Sequence, residues 1–224
     1  MFKWYKKAKV CYVYLADVPS SSDPNDLASF RSSRWFTRGW TLQELIAPQN
    51  VVFYTKEWKK LGAKNELSVP VSAVTGIHKE ILLGHQLLKD VSIADRMSWA
   101  SQRATTRPED IAYCLLGIFD VNMPLLYGEG QKAFIRLQEE IIKVSDDHSI
   151  FVWKSGPPLR NYGMLALSPE TFRGVGSILR YRDNGSNVPF AITNNGLQIQ
   201  LPMLGNEKRN GGYLAVLSSQ LPVS

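Results

Sequence analysis

The chain has 224 residues, with 26 basic and 20 acidic side chains and a formal net charge of +6. Its 44% hydrophobic and 21% charged residues are ordinary for a globular protein, and a chain of this length can bury a core without disulfides or metals. A wholly disordered chain, a collagen and a coiled coil are therefore excluded. The longest apolar run, Ala112 to Phe119, is far shorter than the ~20 residues of a membrane span, so we expect no membrane-spanning segment.

The cysteine content bears on the cellular location of the protein, and the net charge bears on the kinds of partner it could bind. Two cysteines, Cys11 and Cys114, are too few for a disulfide framework, which favours a reducing, cytoplasmic location. The basic excess alone would permit nucleic-acid binding, but no nucleic-acid-binding motif accompanies it. The lysine cluster Lys3–Lys9 is interpreted as a solvated helix face, and no nucleic-acid partner is expected.

The first third of the chain predicts a strand, a helix and a second strand. Lys9 to Leu15 is β-branched and aromatic, as in a buried strand. Thr37 to Ile46 predicts a short helix that Pro48 ends. Val51 to Tyr54 predicts a second short strand. This order is typical of an α/β unit with parallel strands.

Beyond Trp58 the pattern becomes helical. Ser92 to Ser101 begins with a serine N-cap, and Pro108 to Phe119 has proline and acidic residues in its first turn. Gly130 to Val144 has the clearest helical periodicity. We expect these three helices to pack as a bundle.

The remainder of the chain has a different composition. Residues 1–150 carry 19 basic and 17 acidic side chains, whereas residues 151–224 carry 7 and 3. Strand-like runs at Gln198 to Leu201 and Tyr213 to Leu217, and an Asn-Gly turn at Thr193 to Gly196, predict a small antiparallel sheet. The sequence thus predicts an α+β fold with two domains, 1–150 and 151–224.

Most candidate sites are better explained structurally. His78 and His85 do not combine with a cysteine at zinc-ligand spacing, so no metal site is expected. The amides of Gly128-Glu129-Gly130 could hold an anion, but a helix-entry turn is favoured. Residues 146–148 (Asp-Asp-His) are interpreted as a polar helix exit rather than an acid–base cluster. A last group is interpreted as pairing across a helix start rather than binding a ligand: Arg103, Arg107, Glu109 and Asp110.

The stretch Trp35 to Leu45 is the most informative. Trp40 and Glu44 are four residues apart and share one helix face. Because Glu44 lies between two leucines that should be buried, its carboxylate either faces a cleft or is partly buried in a pair with Arg38 or Arg34. The residues alone favour the buried pair.

Several motifs, in the same order, resemble the fungal HET (heterokaryon incompatibility) domain. The run WFTRGWTLQELIAP, residues 35–48, looks like the signature of that family. The other matching segments are residues 4–17, 92–100, 105–117 and 123–130. The resemblance covers about residues 1–153 and implies non-self recognition and regulated cell death. Residues 168–217 resemble the β-rich segment that follows many HET domains, for example at Phe172-Arg173-Gly174 and Asn195-Gly196-Leu197.

HET domains are regarded as distant relatives of TIR domains, whose Trp-x-Leu-x-Glu-Leu motif matches residues 40–45. The resemblance implies a partial TIR-like α/β sheet and makes Glu44 the candidate catalytic residue of NAD cleavage, where a carboxylate stabilises the positive charge on ribose as nicotinamide leaves. Trp40, Arg38 and Asp17 are the candidate NAD-binding residues, with Asp17 at the carboxyl end of the first strand. NAD enters as substrate, and no cofactor is expected.

The sequence departs from the family in one respect. A full HET domain has two further strands before the segment that opens this chain, so we expect an N-terminally truncated domain whose Cys11 strand has an unpaired edge. Three hypotheses stay open: an incompatibility and cell-death signalling protein with weak or absent NAD cleavage, a non-enzymatic interaction or decoy module that uses the sheet edge, and a fragment without function. The expected partners are other HET or signalling proteins and further copies of the chain.

Overall fold

The computed structural model describes residues 1–20, 27–154, 163–175, 179–180, 190–194, 196–199 and 219–220. The fold is α+β, as predicted. The helices are α1 (Phe2–Lys7), α2 (Ala28–Arg31), α3 (Thr41–Ile46), α4 (Ser68–Thr75), α5 (Lys79–Leu82), α6 (Ile93–Ser98), α7 (Asp110–Tyr113), α8 (Leu116–Phe119) and α9 (Lys132–Val144). The strands are β1 (Cys11–Tyr14), β2 (Val51–Tyr54), β3 (Lys60–Ala63), β4 (Leu179–Arg180), β5 (Ala191–Thr193), β6 (Gly196–Gln198) and β7 (Ser219–Gln220). Short 3₁₀ turns are η1 (Arg34–Thr37), η2 (Leu88–Asp90), η3 (His148–Phe151) and η4 (Pro169–Phe172).

A three-stranded sheet in the order β1-β2-β3 positions the N-terminal segments. β1 and β2 are parallel, with Cys11 opposite Val51, so the predicted parallel pair is confirmed. β3 is antiparallel to β2 and corrects the helical prediction for the residues after Trp58. The tight turn before β3, in which Trp58 has a positive φ of 59°, returns the chain along β2. Pairing with β2, rather than the local sequence pattern, makes this segment a strand.

One face of the sheet lies on the hydrophobic core. Val13, Val51 and Phe53 are buried, whereas the alternate residues Tyr12 and Tyr14 are exposed, as the two-residue period of a strand requires. β1 is thus buried on one face only, and the prediction of a buried strand is wrong for the other. Edge-to-face aromatic contacts extend the core beyond Phe53 to Phe30, Trp35 and Phe36. The core therefore fixes the segment that precedes α3.

The helices confirm some predictions and shorten others. α9 matches the predicted 130–144 helix, and α6 begins after Ser92, whose hydroxyl accepts from the Asp95 N–H at 3.1 Å, the expected N-cap. The predicted 37–46 helix is divided into η1 and α3, and the predicted 108–119 helix is divided into α7 and α8. α9 packs against α7, whereas α6 packs mainly against η3 and η4, so the predicted three-helix bundle is wrong for α6.

The described residues beyond position 151 pack on the helices. Gln138 donates to the Ala166 carbonyl at 2.7 Å and accepts from the Ala166 N–H at 3.0 Å, and Phe172 lies in the core. The predicted Asn-Gly hairpin is confirmed, since Thr193 and Gly196 are paired in β5 and β6. The predicted strand at Tyr213 to Leu217 lies outside the described residues, and the division into two domains stays a prediction.

Within the part of the chain that the structure describes, we find no helix with the length and apolar character of a membrane span.

Candidate functional site

A cleft of about 430 Å³ opens at the carboxyl end of β1. The cleft lies there because the chain leaves β1 at Leu15 and returns in η1 beside the end of the strand. This is the edge at which α/β sheets usually bind ligands. The cleft is lined by Tyr14, Leu15, Ala16, Asp17, Arg34, Trp35, Thr37, Arg38 and Ala104.

Asp17 anchors η1 beside the cleft. One carboxylate oxygen accepts the Ser33 hydroxyl at 2.7 Å and the other accepts the Arg34 N–H at 2.8 Å. Burial by itself would raise the pKa of Asp17, but these hydrogen bonds outweigh it and hold that pKa below its usual value. Asp17 is therefore an ionised hydrogen-bond acceptor at neutral pH and a weak proton acceptor.

Arg38 presents its side chain to the same cleft from a fixed backbone. The Gly39 N–H donates to the Ala104 carbonyl at 2.9 Å, and the Ala104 N–H donates to the Thr37 carbonyl. The buried Arg103 guanidinium donates to the Arg38 carbonyl at 2.8 Å and to the Thr41 hydroxyl at 2.9 Å. Burial lowers the pKa of Arg103 to about 10, which still leaves it charged at neutral pH.

Glu44 lies elsewhere, between α3 and α1. It is half-buried, and the Tyr5 hydroxyl donates to its Oε1 at 3.2 Å. Burial and the neighbouring Glu44 raise the pKa of both Tyr5 and Cys11. Tyr5 thus takes the place of the arginine partner that the residues alone favoured, while Arg34 forms a solvent-exposed pair with Asp17 at 3.7 Å.

The structure brings together two of the four predicted site residues. Asp17 and Arg38 share the cleft, whereas Glu44 and Trp40 are not among the described residues that line it. Trp40 is half-buried at the start of α3 and packs against the core. The role of Trp40 in binding NAD and that of Glu44 in catalysis stay predictions.

Lys64 is a buried cation near α3 that sequence reasoning missed, whereas Arg103, predicted to pair across a helix start, instead donates to Arg38 and Thr41 at the beginning of α3. The Lys64 ammonium donates to the carbonyls of Leu45 at 3.2 Å and Pro48 at 2.6 Å, where it satisfies the end of α3. Burial lowers the pKa of Lys64 to about 8. Its position in a loop after β3 carries no periodic signal, so the sequence could not have revealed this contact.

Two other sequence candidates prove to be structural. The amides of Gly128 and Gly130 donate to the carboxylate of Glu109 at 2.7 and 3.0 Å, so the chain's own side chain fills the possible anion site. Glu109 therefore fastens the 126–130 loop rather than pairing across a helix start, and Asp110 similarly accepts from the Tyr127 hydroxyl. Arg107 lies over the Tyr127 ring at 4.5 Å.

The Asp-Asp-His run at 146–148 is also structural. The buried Asp147 carboxylate accepts the N–H groups of Ile93 at 2.7 Å and Ser149 at 2.9 Å. It therefore joins the end of α9 to the beginning of α6. Among the described residues, no cluster of three or more histidine, cysteine, aspartate or glutamate side chains could hold a metal ion.

The cleft is chemically suited to an anionic or hydroxyl-bearing ligand. Arg34 and Arg38 supply exposed guanidinium groups, which recognise phosphate or carboxylate with two parallel hydrogen bonds. The ionised Asp17 can accept from a hydroxyl group.

Comparison with known proteins gives one informative similarity. The chain is 52% identical over 149 residues to the vegetative incompatibility protein HET-E-1 of Podospora anserina, a match that covers 64% of this chain and 11% of the relative. The chain thus corresponds to about a ninth of that protein. No protein-family model and no solved structure matches it. The chain is therefore related to a fungal vegetative incompatibility protein.

Proposed function

We propose that this chain acts in fungal vegetative incompatibility, as a module of non-self recognition that signals regulated cell death. The observation that carries this proposal is the 52% identity to a vegetative incompatibility protein over 149 residues. The proposal assigns the module to protein contacts with other HET-type or signalling proteins.

Inducible expression in a filamentous fungus tests this role. We expect expression of the chain to change the fraction of dead hyphal compartments, scored with a vital dye, when incompatible strains fuse. A core variant, Phe53→Asp, is the control that removes the fold while leaving the expression signals intact. Unchanged viability in fusions with the folded chain, at protein levels confirmed by immunoblot, would refute the proposal.

NAD cleavage is a second candidate, which rests on the resemblance of residues 40–45 to the TIR motif and on a cleft that two of the four candidate residues, Asp17 and Arg38, line. In this proposal the exposed Arg38 would bind the pyrophosphate of NAD, and the ionised Asp17 would accept from a ribose hydroxyl. Glu44 would stabilise the positive charge that develops as nicotinamide leaves. Glu44 does not line this cleft and lies against Tyr5, so this chemistry requires Glu44 to be released from α1 and brought to the bound NAD.

A direct assay separates this candidate from the first. We expect any NAD consumption by the purified chain to be lost in Glu44→Gln and reduced in Arg38→Gln, because each change removes a charge, the first at constant side-chain size. Glu170→Gln, in the exposed turn η4, is the matched control. Equal consumption by Glu44→Gln and the wild type would rule out the assigned role of Glu44, and no consumption by the wild type would leave protein contact as the function.

A further inference from the structure

Strand β1 has a free edge among the described residues. It is the end strand of the β1-β2-β3 sheet, and the N–H groups of Cys11 and Leu15 donate to β2-side carbonyls at 2.8 and 2.9 Å. Because successive residues of a strand point their backbone groups to opposite sides, those of Tyr12 and Tyr14 point away from β2. The edge therefore offers alternating donors and acceptors to a further strand.

A groove of about 600 Å³ runs along this edge, between β1 and α1. Its lining is mostly apolar and consists of Trp4, Tyr5, Lys7, Ala8, Val10, Cys11 and Tyr12. Trp4 is 80% exposed and Tyr12 64% exposed. Large exposed aromatic side chains beside a groove are suited to receive the side chains of an added strand.

The aromatic side chains on this face are held in place by one another. Tyr14 stacks on Trp58 at 4.6 Å between ring centroids, and Tyr12 meets the edge of Tyr54 at 5.8 Å. The Tyr14 hydroxyl also donates to the Lys56 carbonyl at 3.1 Å. An incoming segment thus meets a surface that is already ordered, which reduces the entropy lost on binding.

Exposed lysines surround the groove. Residues 1–16 contain four lysines and no acidic residue, and all four lysines are exposed. The half-buried Glu44 contacts the groove residue Tyr5, whose hydroxyl donates to its Oε1 at 3.2 Å, so the exposed charges are the lysines. This surface complements a negatively charged ligand.

We propose that the β1 edge and its groove bind an extended, acidic segment of a partner protein, which joins the sheet as an additional strand. This inference rests on the proposed role in protein contact and names the chemistry of the partner. The edge distinguishes a polypeptide from other anions. Alternating N–H and C=O groups are matched by a peptide backbone and by neither a nucleic acid nor a lipid headgroup. Aspartate and glutamate in the segment face the lysines, and apolar side chains enter the groove.

Peptide binding to the full chain tests the proposal. The probe is a fluorescent ten-residue peptide that alternates valine or tyrosine with aspartate or glutamate, measured by anisotropy. Two comparison peptides carry N-methyl groups, one on the odd-numbered and the other on the even-numbered residues, so that only one of them loses the N–H groups that face β1. A third replaces the acidic residues by lysine. We expect the acidic peptide to bind at least about tenfold more tightly than the lysine peptide and than the N-methylated peptide that has lost those N–H groups.

Variants of the protein locate the binding surface. Tyr12→Pro removes an outward N–H that β2 does not use, which edge strands tolerate, and we expect at least about tenfold weaker peptide binding. The double variant Lys7→Glu with Lys9→Glu reverses the local charge. It should bind the acidic peptide more weakly, and its affinity should depend less on the salt concentration. Lys132→Glu, an exposed site on α9, is the matched charge control and should bind as the wild type does. Circular dichroism and thermal unfolding establish that each variant is folded.

The contrary outcomes are distinct. Equal binding of both N-methylated peptides would show capture by side chains without strand addition. Tighter binding of an oligo-dT strand, or of phosphatidylserine vesicles, would assign the surface to a nucleic acid or a membrane. A dimer that Tyr12→Pro dissociates would make a second copy the occupant. Each result overturns this inference, whereas the fusion assay alone decides the role in incompatibility.

Discussion

Substitution of Asp147 by alanine is the sharpest test of how α6 is held. The first three N–H groups of α6 are satisfied by three different acceptors: the Asp147 carboxylate for Ile93, the Ser149 hydroxyl for Ala94, and the Ser92 hydroxyl for Asp95. The Asp147 carboxylate, only 2% exposed as a residue, also accepts the Ser149 N–H. Alanine leaves the N–H groups of Ile93 and Ser149 without their acceptor.

The expected cost follows from those two hydrogen bonds. Each buried donor left unsatisfied costs roughly 1–3 kcal/mol, and loss of an N-cap alone costs about 1–2 kcal/mol. We therefore expect Asp147→Ala to lower the free energy of unfolding by about 3 kcal/mol. In a domain of this size that corresponds to a fall in Tm of about 6–12 °C.

Urea unfolding followed by circular dichroism measures this change. Asp146→Ala is the matched control, since Asp146 is the exposed neighbour, and we expect its effect to stay within about 0.5 kcal/mol. Asp147→Asn retains one acceptor oxygen and should lie between the two. If Asp147→Ala and Asp146→Ala unfold at the same urea concentration, Asp147 does not join α9 to α6 and the packing described here is wrong.

Three further changes probe other contacts. Gly117→Ala places a Cβ atom onto the Phe2 side chain, so we expect α1 to leave α8 and limited proteolysis to cleave near the N-terminus first; an unchanged digestion pattern would contradict this contact. Burial lowers the pKa of Lys64 to about 8 in the folded protein, so the unfolded chain holds more protons between about pH 8 and 10.5. The free energy of unfolding of the wild type, relative to that of Lys64→Met, should therefore rise with pH across that window. A difference that does not change with pH would contradict the burial of the Lys64 ammonium. Hydrogen bonds from the amides of Gly130 and Gly128 lower the pKa of Glu109, so its contribution to stability is present above the ordinary glutamate pKa and is lost at lower pH. The stability difference between the wild type and Glu109→Gln, measured by thermal unfolding, should therefore shrink on acidification. A difference independent of pH would argue against the anchoring of the 126–130 loop by Glu109.

Local patterns predicted the elements whose burial is periodic. β1 and β2 carry β-branched and aromatic residues, and α9 repeats apolar residues at helical spacing, so each appears where its residues indicated. The Ser92 cap and the Asn-Gly hairpin were visible because their chemistry is local. These features need no knowledge of what lies across the fold.

The sequence could not predict features that depend on partners distant along the chain. β3 becomes a strand because β2 pairs with it, and the 108–119 helix is interrupted at Cys114, whose carbonyl accepts from the Gln43 side chain at 2.5 Å. For the same reason the Glu44 partner proved to be Tyr5, 39 residues away, rather than a nearby arginine. Asp17 follows β1 and Arg38 follows η1, so both line one cleft, while their role in binding NAD stays a prediction.

The position of α1 links the two candidate activities. In its present place α1 supplies Trp4, Tyr5 and Lys7 to the groove along β1 and, through Tyr5, covers Glu44. The same helix position that completes the groove therefore engages the carboxylate proposed to act in NAD cleavage. Gly117→Ala separates them, because displacement of α1 should weaken binding of the acidic peptide while exposing Glu44. If the wild type binds the peptide and only the Gly117→Ala variant consumes NAD, the two activities belong to two exclusive positions of α1. If Gly117→Ala leaves NAD consumption unchanged, the chemistry takes place away from Glu44.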